Sequence, residues 1–152
     1  PLTELNNRYQ LVHYLNNKIN SFNVNEKNLW LLMMDADYFK KINDTYGHLE
    51  GDHALSIIAT SLKKACSRKD FFISRYGGDE FIVICELDKS EFIEDVCTSI
   101  NAELDTAELP YKLSMSIGCA LYSSGMNPEN FIETADKELY RIKKEHHSVR
   151  GH

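Results

Sequence analysis

Six consecutive apolar residues, Leu29-Trp30-Leu31-Leu32-Met33-Met34, run without a polar break and stop at Asp35. The run is far short of the roughly 20 residues needed to cross a bilayer. Its lack of alternation suits a strand covered on both faces. Such a strand must lie inside a sheet, so the rest of the chain has to supply flanking strands and covering helices. Apolar residues at Leu5, Tyr9, Val12, Leu15, Ile19 and Phe22 step by three and four and predict an amphipathic helix over the first 22 residues. Asn23 to Asn28 reads as a polar connection. A second helix is predicted from about Asp52 to Cys66, with Leu55, Ile58, Leu62 and Cys66 inward. Phe71–Tyr76 and Glu80–Cys85 read as strands joined at Gly77-Gly78 by a two-residue primed turn, which requires positive φ. Asp88-Lys89-Ser90-Glu91 has the form of a capping box opening a helix through Phe92, Val96 and Ile100. Leu113–Tyr122 is a further strand. Asn127-Pro128 caps a last helix with Phe131, Ala135, Leu139 and Ile142 on one face. The predicted architecture is an α/β (α+β) sandwich. Its strand-helix-strand-strand-helix-strand core is ferredoxin-like, with flanking helices.

Nothing in the 152 residues suggests a linker or repeat, so residues 1–152 are read as one domain. With 43% hydrophobic residues the chain can bury a core, which excludes a disordered tail. There is no basic-then-apolar leader at the start, and a cytoplasmic domain without membrane contact is expected. Acids outnumber bases 23 to 17, giving a net charge of −6, so a broad nucleic-acid-binding face is not expected. Cys66, Cys85, Cys97 and Cys119 contain no C-x-x-C pair and fall in apolar patterns, so they are read as buried, reduced thiols.

The chemistry concentrates in acids at strand ends. Asp35 and Asp37 follow the first strand, and an i, i+2 pair on extended backbone points to one side. Asp79 and Glu80 leave the Gly-Gly turn, 44 residues beyond Asp35. If the strands are neighbours, these carboxylates meet at one rim, where two charges about 4 Å apart repel by roughly 1–4 kcal/mol. Hard divalent cations, Mg²⁺ first, relieve such a cluster through oxygen ligands. Singly, acids of this kind also serve to solubilise strand ends. Lys40 and Lys41 follow closely, as expected where a helix start holds phosphate oxygens, although a lysine pair also marks a solvated face. Asn43 and Asp52 flank a predicted Gly47–Gly51 turn. An Asn amide can donate to guanine O6 while an Asp carboxylate accepts from the ring N–H and amino group. Taken without further context, turn and capping roles account for both residues better.

Arg75-Tyr76-Gly77-Gly78-Asp79-Glu80-Phe81 resembles the signature of GGDEF-type diguanylate cyclases, and the similarity runs along the chain. Pro1–Arg8 is similar to the family's opening LTGLxNR. Asp35–Asp52 follows D-x-D-x-F-K-x-I-N-D-x-x-G-H-x-x-G-D, Ser116-Ile117-Gly118 matches a late strand, and Ala135–Tyr140 a late helix. The resemblance implies a palm-like domain that condenses two GTP into cyclic di-GMP and two pyrophosphates. It implies two Mg²⁺ (or Mn²⁺) per active site, held by Asp35, the Ala36 carbonyl, Asp79 and Glu80. Asp79 would help deprotonate the attacking 3′-hydroxyl, and Lys40 would stabilise phosphate charge with the amides of Tyr38 and Phe39. Asn43, His48 and Asp52 would hold the nucleoside, and Lys143 a phosphate. A homodimer would be needed for catalysis, and a regulatory or sensory domain is expected elsewhere in the full-length protein.

Four departures stand out. Glu4 replaces the glycine of LTGL, and His147 stands where a phosphate-binding arginine is common. Ser67-Arg68-Lys69-Asp70 does not restore the R-x-x-D of an inhibitory product site, so none is expected. Pro1 falls inside the opening motif, as in an excised catalytic domain. Two other classes compete with the cyclase reading. A catalytically silent GTP-binding module would keep the same residues. An RNA-recognition domain would need a basic, aromatic sheet that this chain lacks.

Overall fold

The computed structural model describes residues 4–149, with side chains through Glu145. Pro1 and the His147 side chain, both singled out above, lie outside the described residues. The elements are α1 (Arg8–Ser21), β1 (Lys27–Ala36), α2 (Phe39–Tyr46), α3 (His48–Ala65), β2 (Phe71–Arg75), β3 (Glu80–Asp88), α4 (Ile93–Asp105), β4 (Met115–Leu121) and α5 (Pro128–Val149). The strands form one sheet in the order β2-β3-β1-β4, with every neighbouring pair antiparallel. This is the ferredoxin-like interleaving the sequence predicted, and the apolar run of β1 occupies an inner position.

Period-two alternation divides the strands between two cores. Leu32, Met34, Phe81, Val83 and Ile117 pack with Ile42, Leu55, Ile58, Leu62 and Ile100, so α2, α3 and α4 cover one face. Leu29, Leu31, Met33, Ile82 and Ile84 pack with Leu11, Leu15, Phe131, Ala135 and Leu139, so α1 and α5 cover the other. Asn127 caps α5 as predicted, accepting from the Asn130 N–H at 2.7 Å, with Pro128 in the first turn.

Several expectations need correction. The inward stripe of α1 is Leu11 and Leu15, whereas Tyr9 is 80% exposed. The helix begins only after Asn7, which forms a capping box with Gln10. Leu5 and Asn6 belong instead to an arm that bridges to Ser74 of β2. The predicted Gly47–Gly51 turn is a single break at Gly47 (φ 92°) between α2 and α3, so α3 starts four residues before Asp52. The Asp88–Glu91 turn forms, with the Asp88 N–H donating to Glu91 Oε1 at 2.9 Å, but it precedes the helix, which opens at Ile93.

The hairpin is not a two-residue primed turn either. The N–H groups of Tyr76 and Gly77 both donate to the Glu80 carbonyl, leaving a loop of Gly77, Gly78 and Asp79. Neither glycine has positive φ. A Cβ at Gly77 would lie 2.6 Å from Glu80 Oε1, so the Glu80 carboxylate would have to swing aside to accept one.

Candidate active site

Strand register brings the acids together. Asp35, the penultimate residue of β1, pairs with Glu80 on β3 and Ser116 on β4. Cross-strand partners share a face, and here it is the face covered by α5. Lys143 of α5 accordingly reaches Asp35, donating to Oδ2 at 2.8 Å. Asp35 is only 9% exposed, and its Oδ1 is buried with no hydrogen-bond partner. Burial raises its pKa above the ordinary value of 3.8; Lys143 opposes this, while Asp79 and Asp37 push it further up. Glu80 is raised as well, first by burial and then by Asp79, Asp35 and Asp136, with Arg8 opposing. Seven residues, spread from Arg8 to Lys143, thus act on one another at the rim of the sheet.

Asp37 does not join Asp35 as a free ligand. Its carboxylate accepts from Ser114 Oγ at 2.6 Å and from Ser116 Oγ, and its N–H donates to the Ser114 carbonyl at 2.9 Å. It anchors the exit of β1 to β4. Immediately beyond, Tyr38 adopts left-handed backbone (φ 56°), which turns the chain into α2. The first amides of a helix have no intrahelical acceptor, so those of Phe39 and Lys40 are presented just after the acid row. Lys40 is directed outward to Asp44 at 3.0 Å and is 91% exposed. Asn43 lies against Gly51, where a Cβ would sit 1.8 Å from Asn43 Oδ1. Glycine at 51 therefore lets Asn43 cover the start of α3, next to Asp52. Asp52 and His48 are exposed. Asp35, Asp79, Glu80 and Lys143 thus converge, the Ala36 side chain packs in the opposite core, Asn43 and Asp52 share a second locus at the α2–α3 junction, and Lys40 and His48 face solvent.

Three supports escaped the sequence reading. Arg75 clamps the hairpin loop, donating to the Gly77 carbonyl at 3.2 Å and the Gly78 carbonyl at 2.7 Å. Arg8 stacks on the Tyr76 ring at 4.0 Å and donates to its carbonyl, which explains an arginine in the opening motif. The Ser114-x-Ser116 pair could have been suspected from two hydroxyls on one face of a strand beginning.

The donor set fits a hard cation. It consists of carboxylate oxygens, one of them buried and unpartnered, that raise one another's pKa values. Among the described residues no three His, Cys, Asp or Glu side chains already surround a common point; the Lys143 ammonium neutralises Asp35.

Fold and site together define a ferredoxin-like α/β domain with an acid-lined rim beside a helix start. The sequence profile of the family described as diguanylate cyclase, GGDEF domain, matches residues 1–148, and the chain belongs to that family. Diguanylate cyclase DgcP of Pseudomonas aeruginosa is 34% identical over 149 residues, which are 95% of this chain and 22% of that protein. Diguanylate cyclase A of Treponema denticola is 35% identical, over 83% of this chain and 35% of its own length. The chain therefore spans well under half of either relative. Among solved structures, the GGDEF domain of YfiN (TpbB) from Pseudomonas aeruginosa matches with a TM-score of 0.85 at 30% identity, covering 94% of this chain and 92% of that one. The GGDEF domain of DgcB from Caulobacter crescentus, solved in complex with c-di-GMP, matches with a TM-score of 0.82 at 28% identity, covering 95% and 88%.

Proposed function

We propose that this domain condenses two GTP into cyclic di-GMP, releasing two pyrophosphates. The observation that carries the reading is the row of Asp35 and Glu80 in register, with a buried, unpartnered carboxylate oxygen at its centre. Asp35, the Ala36 carbonyl, Asp79 and Glu80 would hold Mg²⁺ or Mn²⁺. These cations would acidify the 3′-hydroxyl and neutralise the leaving pyrophosphate. The remaining work belongs to the protein. Phosphoryl transfer depends on positioning and charge stabilisation, so the start of α2 and Lys40 hold phosphate oxygens. Lys143 moves from Asp35 to the triphosphate. Asp79 accepts the proton of the attacking hydroxyl, while Asn43 and Asp52 read the guanine edge and His48 supports the nucleoside. Asp37, fixed by Ser114 and Ser116, keeps the β1 exit in place.

Each domain offers one nucleotide site, whereas the product joins two nucleotides. Two copies must therefore face each other, and a regulatory domain elsewhere in the full protein would control that encounter. Arg68 is engaged by Glu91 at 2.5 Å and by Asp70 at 3.3 Å. Among the described residues no helix is long and apolar enough to cross a membrane.

The test is incubation of the concentrated domain, alone and fused to a dimerising coiled coil, with GTP and Mg²⁺. Mass spectrometry should find cyclic di-GMP, and the Asp79→Ala/Glu80→Ala variant should make none. GTP binding without product in the forced dimer would establish the silent-module reading instead. Efficient mixed-dinucleotide formation from equimolar GTP and ATP would contradict the base-reading roles of Asn43 and Asp52.

A further inference from the structure

Away from the acid rim, α4 and β4 are joined by two side-chain contacts. Asn101 closes a two-point lock on the start of β4, accepting from the Met115 N–H at 2.9 Å and donating to its carbonyl at 3.2 Å. One turn earlier on α4, Cys97 meets Cys119 of β4 with the sulfurs 3.6 Å apart. Both residues are half-buried, whereas Cys66 and Cys85 are buried. We propose that Cys97 and Cys119 form a redox-active dithiol, a modification site that a hydroperoxide converts to a disulfide bolting α4 to β4.

The chemistry follows from the sharing of one proton. With the S–H of Cys119 donating to Cys97, the Cys97 thiol is held below its ordinary value and that of Cys119 is raised. Thiolates rather than thiols attack peroxides. Burial keeps Cys66 protonated, with its pKa pushed up to about 12, and raises Cys85 too. In the first step the Cys97 sulfur attacks the peroxide and the O–O bond breaks. Cys97 becomes a sulfenic acid and the other oxygen leaves as hydroxide, or as an alkoxide from an organic hydroperoxide. In the second, the Cys119 sulfur displaces the sulfenic hydroxyl, the S–S bond forms and water leaves. Two thiols are oxidised and one peroxide is reduced. The resolving sulfur already touches the first, so closure requires only a local approach of α4 to β4, steered by the Asn101 lock.

The site is independent of the cyclase reading, and its test uses no turnover. The intact domain is treated with hydrogen peroxide, quenched, denatured and alkylated with iodoacetamide. Two alkyl groups, on Cys66 and Cys85, are expected in place of four, together with a Cys97–Cys119 linked peptide that dithiothreitol abolishes. In Cys119→Ser, whose hydroxyl keeps a donor beside Cys97 but cannot close a disulfide, dimedone should trap a sulfenic acid on Cys97, and in Cys97→Ser no linked peptide should form. Four alkylations after peroxide would overturn the proposal. So would a link to Cys66 or Cys85, a link between chains, or over-oxidation of Cys97 with Cys119 still free.

Discussion

Glu4 and Tyr38 are the non-glycine residues with positive φ among those described, both at 56°. Left-handed backbone costs a side-chain-bearing residue about 1–2 kcal/mol. At Tyr38 that strain sits between the acid row and the start of α2, where strained backbone commonly serves a site. At Glu4 it has no such use: the motif similar to this stretch carries glycine there, and the structure supplies the reason. Glu4→Gly should stabilise the domain by up to about 1 kcal/mol, the relief of strain exceeding glycine's extra unfolded-state entropy. Urea unfolding checks this, and an unchanged midpoint would remove the strain argument. Lys143 is a second residue with a measurable role. With Lys143→Gln, Asp35 loses the cation on Oδ2 while Oδ1 is already unpartnered. Because Lys143 is 39% exposed, the loss in chelator should be only about 1 kcal/mol. Added Mg²⁺ or Mn²⁺ should then raise the melting temperature of the variant more than that of the wild type, having no ammonium to displace. Equal shifts would mean that Lys143 and the cation do not compete for Asp35.

The elements show where sequence patterns sufficed and where they did not. The cap of α5 and its inward face were legible because both are local: an Asn-Pro start and a 3.6-residue period need no knowledge of what lies opposite. The phase of α1 was not, since an apolar residue at every third or fourth position from Leu5 fits two registers. The arm's pairing with β2 decides between them. The α2–α3 break was foreseen but read as a five-residue turn, because Gly47 and Gly51 bracket it, whereas only Gly47 interrupts the helices. Asp37 could not be distinguished from Asp35 until β4 brought Ser114 and Ser116 alongside. Gly118 turns this dependence into a test. Its ideal Cβ would lie 2.3 Å from the Leu139 nitrogen and 2.5 Å from the Ala135 carbonyl oxygen, both backbone atoms of α5 that cannot rotate away. Gly118→Ala must therefore push α5 off β4. It should destabilise the domain by about 1–3 kcal/mol. Lys143 lies one turn beyond Leu139, so GTP affinity should fall as well. Calorimetry and GTP titration measure the two effects, and a variant with full stability and affinity would show that α5 is free to shift.

For the molecule as a whole, the order β2-β3-β1-β4 gathers at one rim residues as far apart as Asp35 and Lys143, 108 positions in sequence. The acids could be suspected from their strand-end positions, but only the register shows that Asp35 and Glu80 stand side by side. That arrangement works against stability in a chain of net charge −6, and the penalty has a sign that pH exposes. The pKa values of Asp35 and Glu80 are raised above the ordinary 3.8 and 4.5, so the folded state keeps these protons after the unfolded chain has released them. Folding stability from this pair therefore falls as pH climbs from the ordinary carboxylate values through the raised ones. Glu91 and Glu138 act oppositely. Their pKa values are lowered by Arg68 and Arg141, and their contribution grows as pH rises toward and past 4.5. The raw pH profile thus mixes both signs, and a comparison with Glu80→Gln separates them. In chelator, the variant should gain stability relative to wild type as pH rises from about 4 to about 7. Saturating Mg²⁺ should shrink that gain, because the cation offsets the repulsion only where Glu80 is charged and present. Parallel pH profiles with and without the cation would mean that the acid row neither repels itself nor binds metal.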